Sequence, residues 1–318
     1  MLTLDKIYDA ENILSGVVRK TEILYAPTLC PGVELYLKSE NLQTTGSFKL
    51  RGAYYKISKL SDEARSRGVI ACSAGNHAQG VALAATKNNI KSIICLPNSA
   101  PKFKINATRA YGAEVVLVDG VYDDAYNYAL SLQNELGCNL IHPFDDEDVI
   151  AGQGTVALEI LKQIHDLDAV IVPIGGGGLA SGIAFTIKEI NPRIKIYGVQ
   201  ASGATSMINS IRENKIVCLP SVSTIADGIA VKKPGRLTYE LCYKYIDDIV
   251  TVTDKEICAA IITLLERCKL LTEGAGAASL AAVMFGKLNL IGKKTVCLIS
   301  GGNIDLETLS KIIKTKEK

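Results

Sequence analysis

Four short segments hold the residue types that could do chemistry. The first is Thr45-Gly46-Ser47-Phe48-Lys49. Gly46 permits a tight turn, and Ser47 is a suitable N-cap for a helix over 48–60. Lys49 then falls in the first turn, where the positive end of the helix dipole disfavours a proton on its amine, and Arg51 adds a like charge. A lysine depressed in this way suits Schiff-base chemistry. Taken alone, the segment reads more simply as a surface lysine on an amphipathic helix. The second is Ser73-Ala74-Gly75-Asn76-His77. A small-residue turn before a helix can aim backbone N–H groups at an anion such as a substrate carboxylate, and Asn76 adds a donor and an acceptor. It could equally be an ordinary turn with His77 in the first helical turn.

The third segment, Gly175-Gly176-Gly177-Gly178-Leu179, is the strongest. Four successive glycines are costly in chain entropy and rarely serve packing alone. They let backbone amides close around a phosphate at the start of a helix. The run lacks the Gly-Lys-Ser/Thr ending of a nucleoside-triphosphate loop. Gly175-x-Gly177-x-x-Ala180 fits a dinucleotide fingerprint, but the next strand ends at Gln200 rather than at the acidic residue that would hold a ribose. A phosphate monoester fits at least as well. The fourth segment, Ser300-Gly301-Gly302-Asn303, follows an apolar run directly and could be only a loop.

What must position these residues is an alternation of short apolar runs and longer helical stretches. Strands are expected at 69–72, 92–96, 115–118, 139–142, 169–173, 195–199 and 295–299. Helices are expected at 76–88, 102–111, 123–136, 153–165 and 179–190. Such alternation gives parallel sheets covered by helices on both faces, an α/β fold. The four segments sit at strand ends or helix starts, where open α/β sheets bind ligands. Pro143 and the run Asp145-Asp146-Glu147-Asp148 interrupt the pattern. That run reads as an exposed linker rather than a metal site, and it marks a domain edge.

The bulk composition is that of an ordinary globular chain: 318 residues, 48% apolar, 21% charged, net charge +2. No long run of like charge suggests nucleic acid or an anionic membrane as a partner. Nine cysteines, an odd number without the two-residue spacing of zinc or redox motifs, point to a reduced, cytoplasmic protein. No stretch of 18 uninterrupted apolar residues occurs, and the N-terminus lacks a signal peptide's pattern.

Together the segments resemble the threonine dehydratase and serine racemase family, the tryptophan-synthase-β-like (fold type II) enzymes that use pyridoxal phosphate (PLP). The matching pieces are 45–53, 73–80, Ala151-Gly152-Gln153-Gly154-Thr155, 175–178, Ala226-Asp227-Gly228, Thr272-Glu273-Gly274-Ala275-Gly276-Ala277 and 300–303, in family order. The resemblance implies two open twisted sheets of parallel type flanked by helices. It implies a small domain of residues 60–145 inserted into a large one formed by 1–59 and 146–318, with PLP between them and a homodimer or homotetramer as the assembly. Lys49 would carry PLP and shuttle the Cα proton. Phe48 would flank the ring, Asn76 would bond its phenolic oxygen, and Gly175, Gly176, Gly177, Gly178 and Leu179 would hold the phosphate. Ser300 would face the pyridine nitrogen, and Glu273 would lie nearby. Ser73, Ala74, Gly75, Asn76 and His77 would receive the substrate carboxylate. The implied reaction takes L-threonine to 2-oxobutanoate and ammonia, with L-serine as a further substrate.

Two departures sort the family. Racemases resembling this chain place a second serine, the acid–base group of the opposite face, where Ala74 stands, and alanine cannot transfer a proton. They also place carboxylates where Gln200 and Ser206 stand, so no divalent-metal site is expected, which leaves only a weaker site of backbone oxygens. The sequence stops soon after Ser300. That fits either the short catabolic type or a catalytic domain of a longer, isoleucine-sensing enzyme.

Overall fold

Runs of Val, Ile and Leu too short for helices become strands, because β-branched side chains fit a pleated surface. The computed structural model describes residues 1–316. Among these, the strands are β1 (Ile23–Tyr25), β2 (Glu34–Ser39), β3 (Val69–Cys72), β4 (Ser92–Pro97), β5 (Glu114–Val118), β6 (Asn139–Leu140), β7 (Ala169–Pro173), β8 (Lys195–Ala201), β9 (Asp248–Val252) and β10 (Lys294–Ile299). They form a six-stranded sheet in the order β1-β2-β10-β7-β8-β9 and a four-stranded sheet in the order β5-β4-β3-β6. Every pairing is parallel except β1 with β2.

Alternation along each strand shows why the runs are apolar throughout. Ile171, Cys297 and Ile299 face one core with Ala260, Ala277 and Ala281, whereas Val170, Val172, Val296 and Leu298 face another with Ile160, Ala180 and Ile183. Side chains at successive positions point to opposite faces, so a sheet covered on both sides needs apolar residues at each. The smaller sheet repeats the scheme. Val69 and Ala71 pack with Leu50, Ala53, Val81 and Ala85, while Ile70 and Cys72 pack with Ala125 and Ala129. No helix among the described residues is long and apolar enough to cross a membrane.

Three expectations need correction. The helix expected from residue 153 begins at Glu147 and runs to Gln163, so the acidic run is not an exposed linker. Asp146 caps that helix by accepting from the N–H of Asp148 and Val149, while Lys6 and Lys56 pair with the acids around it. Acidic side chains belong at the positive N-terminal end of a helix, which the charge pattern alone did not distinguish from a solvated loop. Next, β1, β2 and β9 were not foreseen, because each is short or carries polar residues at its rims. Finally, Ser47 is not an N-cap. The helix starts at Lys49, Phe48 holds the cap position, and Ser47 is bridged to Gly301 instead.

Candidate active site

Lys49 opens the helix Lys49–Ser58, and glycines set where that helix lies. A Cβ on Gly152 would come within 2.6 Å of the Arg51 carbonyl oxygen and the Gly52 Cα. A Cβ on Gly80 would stand 3.1 Å from the Lys49 carbonyl carbon. Two neighbouring helices thus touch this one backbone to backbone, which only glycine allows. The segment before the helix is stitched to the far end of the chain. Gly302 N–H donates to Gly46 O at 2.9 Å, Phe48 N–H to Ser300 O at 3.3 Å, and Asn303 Nδ2 to Thr45 O at 2.8 Å.

Arg51 does not act as a like charge on Lys49. Its guanidinium is buried on the other side of the helix, with Nε and an Nη bonded to both oxygens of Glu40 at 2.8 and 2.7 Å. Its other Nη reaches Glu159 at 2.7 Å, and Lys38 Nζ reaches the remaining Glu159 oxygen at 2.6 Å. Two cations and two anions make a buried, neutral network that anchors the first turn.

The Lys49 amine points into a cavity of about 790 Å³ between the two sheets. Removal from water lowers its pKa to about 8, opposed by Glu273. In this arrangement Nζ donates to the Pro143 carbonyl at 2.8 Å. Around the same cavity stand Phe48, Ser73, Ala74, Gly75, Asn76, His77, Gly175, Gly176, Gly177, Gly178, Leu179, Glu273 and Ser300. Every residue the sequence pointed to for ligand binding therefore lines one space.

The glycine loop gives a test of fit for a phosphate. The N–H groups of Gly176, Gly177, Gly178 and Leu179 have no acceptor among the described residues, and they open the helix Gly178–Ile190. Gly177 has φ +100°, and a Cβ on Gly178 would lie 2.9 Å from Phe144. Bare amides at a helix start, with no room for side chains, suit a phosphate monoester. An amine that titrates near neutrality shares the cavity, so the residues fit a phosphorylated aldehyde.

The Ser73–His77 turn is organised similarly. Ser73 Oγ accepts from Gly75 N–H at 3.2 Å, whereas the N–H groups of Ala74, Asn76 and His77 have no acceptor among the described residues. The His77 imidazole is buried against the backbone. Its Nε2 meets Ile141 O at 2.8 Å, and burial holds its pKa near 3. Asn76 links three segments, donating to Glu273 Oε1 at 2.6 Å and accepting from Asn303 Nδ2 at 2.6 Å. Burial, with Asp227 nearby, holds the Glu273 pKa well above the usual carboxylate range. Gln200 and Ser206, the positions where a metal-binding relative would carry carboxylates, have their side chains bonded to backbone groups of Ile174, Ile208 and Val231.

Sequence reasoning missed much of the outer wall. Phe144 packs on the glycine loop, and Tyr122 and Tyr126 line the cavity from the smaller sheet's side. Two ion pairs of opposite polarity cross the cleft, Lys104 with Asp227 and Asp123 with Lys232. Apart from Asp227, which lies in the motif 226–228, these residues come from loops and helix ends, where no spacing rule marks them.

The profile described as "Pyridoxal-phosphate dependent enzyme" matches residues 14–302. An L-threonine ammonia-lyase of Thermotoga maritima is 51% identical over 315 residues, 98% of this chain and 78% of that protein. Among solved structures, the processed form of threonine deaminase isoform 2 from Solanum lycopersicum superposes with a TM-score of 0.93 at 40% identity, covering 98% of this chain and 87% of that one. Maize serine racemase also gives 0.93, at 36% identity, with 99% and 98% covered.

Proposed function

The chain belongs to the family of pyridoxal-phosphate dependent enzymes, and we propose that within it the protein is an ammonia-lyase converting L-threonine to 2-oxobutanoate and ammonia, with L-serine also accepted. The observation that carries this reading is an amine of pKa about 8 facing a loop of unpaired amides across one cavity. The 51% identity to a threonine ammonia-lyase supports the choice of substrate. In the same proposal the smaller sheet marks a domain over 60–145, and the protein works in the cytoplasm as a homo-oligomer. Its nine cysteines, all free thiols, suit a reducing compartment.

When bound, PLP supplies an electron sink for the pair left on the substrate's Cα as its proton departs. The chain's own residues bind, orient and move protons. The Gly176–Leu179 amides would hold the phosphate without reorganising, and Asn76 would orient the ring through its amide. Ser300 Oγ, which has no hydrogen-bond partner among the described residues, would face the ring nitrogen. A hydroxyl there does not enforce a protonated ring as a carboxylate would. The free N–H groups of Ala74, Asn76 and His77 receive the substrate carboxylate. Lys49, partly unprotonated near neutral pH, takes the Cα proton. Burial raises the Glu273 pKa and so favours its neutral form, which limits the buried negative charge beside the substrate.

Purified PLP-loaded protein incubated separately with L-threonine and L-serine should yield 2-oxobutanoate and pyruvate. One methyl group is worth only ~1–3 kcal/mol in a pocket, so the two substrates should differ by about 10–200-fold in kcat/KM. A visible cofactor band with no 2-oxo acid from either substrate would overturn the lyase reading. The similarity to serine racemase brings a second check. Ala74 offers no proton donor, so D-serine should not accumulate from L-serine.

Cofactor capture provides a pH test. Covalent attachment needs a neutral Lys49 amine, and desolvation has brought its pKa down to about 8. The capture rate of apoprotein should therefore rise as pH increases through about 8 and level off above it. A rate that keeps climbing toward the usual lysine range would contradict the placement of Lys49 in the cavity.

A further inference from the structure

The turn His142-Pro143-Phe144-Asp145 touches both halves of the site. Pro143 O accepts from Lys49 Nζ at 2.8 Å. Phe144 lies on the glycine loop, its ring where a Gly176 side chain would be and its backbone within 3.0 Å of a Cβ placed on Gly178. The Asp145 carboxylate accepts from the N–H of Arg236 and Thr238 at 3.0 and 3.1 Å, and Thr238 Oγ1 donates to Gly176 O at 2.6 Å. One four-residue turn thus contacts both the amine and the glycine loop.

His142 shapes that turn. Its Nδ1 accepts from Asp145 N–H at 2.8 Å and from Phe144 N–H at 3.3 Å, and its ring meets the Phe144 ring edge-on at 4.7 Å and 87°. No other acceptor for those two N–H groups occurs among the described residues. Nδ1 can accept only while unprotonated. Burial lowers the ring's pKa, with Lys49 acting in the same direction and Asp145 and Asp146 opposing.

We propose that His142 is a positioning residue: by accepting two N–H groups at Nδ1 it holds Pro143 and Phe144 so that Lys49 and the Gly176–Gly178 loop keep the separation the cofactor needs. This rests on the reading of Lys49 and the glycine loop as the cofactor site. An amine displaced by about 1 Å from its reacting partner can lose on the order of 100-fold in rate, so the turn has leverage despite touching no substrate.

Three variants separate geometry from bulk. His142→Asn places an amide oxygen near the Nδ1 position, His142→Gln places it near the Nε2 position, and His142→Leu removes the acceptor. PLP affinity is read by titrating apoprotein and following visible absorbance, with apoprotein melting temperature measured alongside. The dissociation constant should rise about 10–100-fold in the Gln and Leu variants. The Asn variant should stay within about threefold of wild type. In PLP-saturated protein, kcat should fall in the Gln and Leu variants while KM for threonine holds. If His142→Leu does not fold, the Asn–Gln comparison decides. Equal affinity in all variants, or an Asn variant as weakened as Gln, would overturn the role of His142. A wild-type protein with no Lys49-dependent visible band would instead overturn the cofactor-site reading beneath it.

Discussion

Lys49→Ala is expected to yield a folded protein without a visible cofactor band and without lyase activity. Loss of the base alone should cost on the order of 10²–10⁴-fold, and loss of covalent attachment adds to it. Stability should not suffer. Alanine is the best helix former, and removing a desolvated amine relieves a cost that the fold now bears. The measurement is an absorbance spectrum of PLP-treated protein together with 2-oxobutanoate formation and a melting curve. A band and activity that survive in this variant would mean that another amine performs the chemistry.

The second large effect concerns stability. Arg51→Leu leaves Glu40 and Glu159 buried without their main partner, which should cost about 3–5 kcal/mol, readable by urea unfolding of the apoprotein. The network also has a pH signature. Burial alone would raise the pKa of Glu40, but the charge and hydrogen bonds of Arg51, with Lys38 and Thr21 adding to them, outweigh that and leave it below the ordinary 4.5. Glu40 therefore contributes stability that is complete above about pH 4.5 and lost as pH falls below it. Wild type should show that acid loss, whereas in Arg51→Leu burial raises the Glu40 pKa, so the variant should regain stability as pH falls and the carboxyl protonates. Unchanged urea midpoints across the two proteins would show that the ions are not buried as described.

Much of this was legible in the sequence because the chemistry sits where local rules are strict. A run of four glycines after an apolar strand has few uses, and both the loop and the Ser73–His77 turn lie at strand ends as expected. The parallel sheets were legible for the same reason, since strands buried on both faces cannot alternate. Arg51 was misread because its helix position is visible in sequence but its partners, Glu40 and Glu159, lie 11 and 108 residues away. Ser47 looked like a cap by residue type, yet a bridge to Gly301 claims its backbone. Phe144 and His142 gave no sign because their roles depend on loops meeting in space, not on a repeat in the chain.

The stitching of residues 45–48 to 300–303 has a consequence for how the protein is made. β10, which leads into Ser300, lies between β2 and β7, and Lys49 is translated about 250 residues before Ser300. At roughly 5–20 residues per second, the lysine waits on the order of ten seconds to a minute before its clasp emerges from the ribosome. A nascent chain that has not yet exposed β10 presents the amine without the floor that buries it. Vitamin loading is thus an event of the finished polypeptide, and a chain stalled before residue 294 should leave PLP uncaptured.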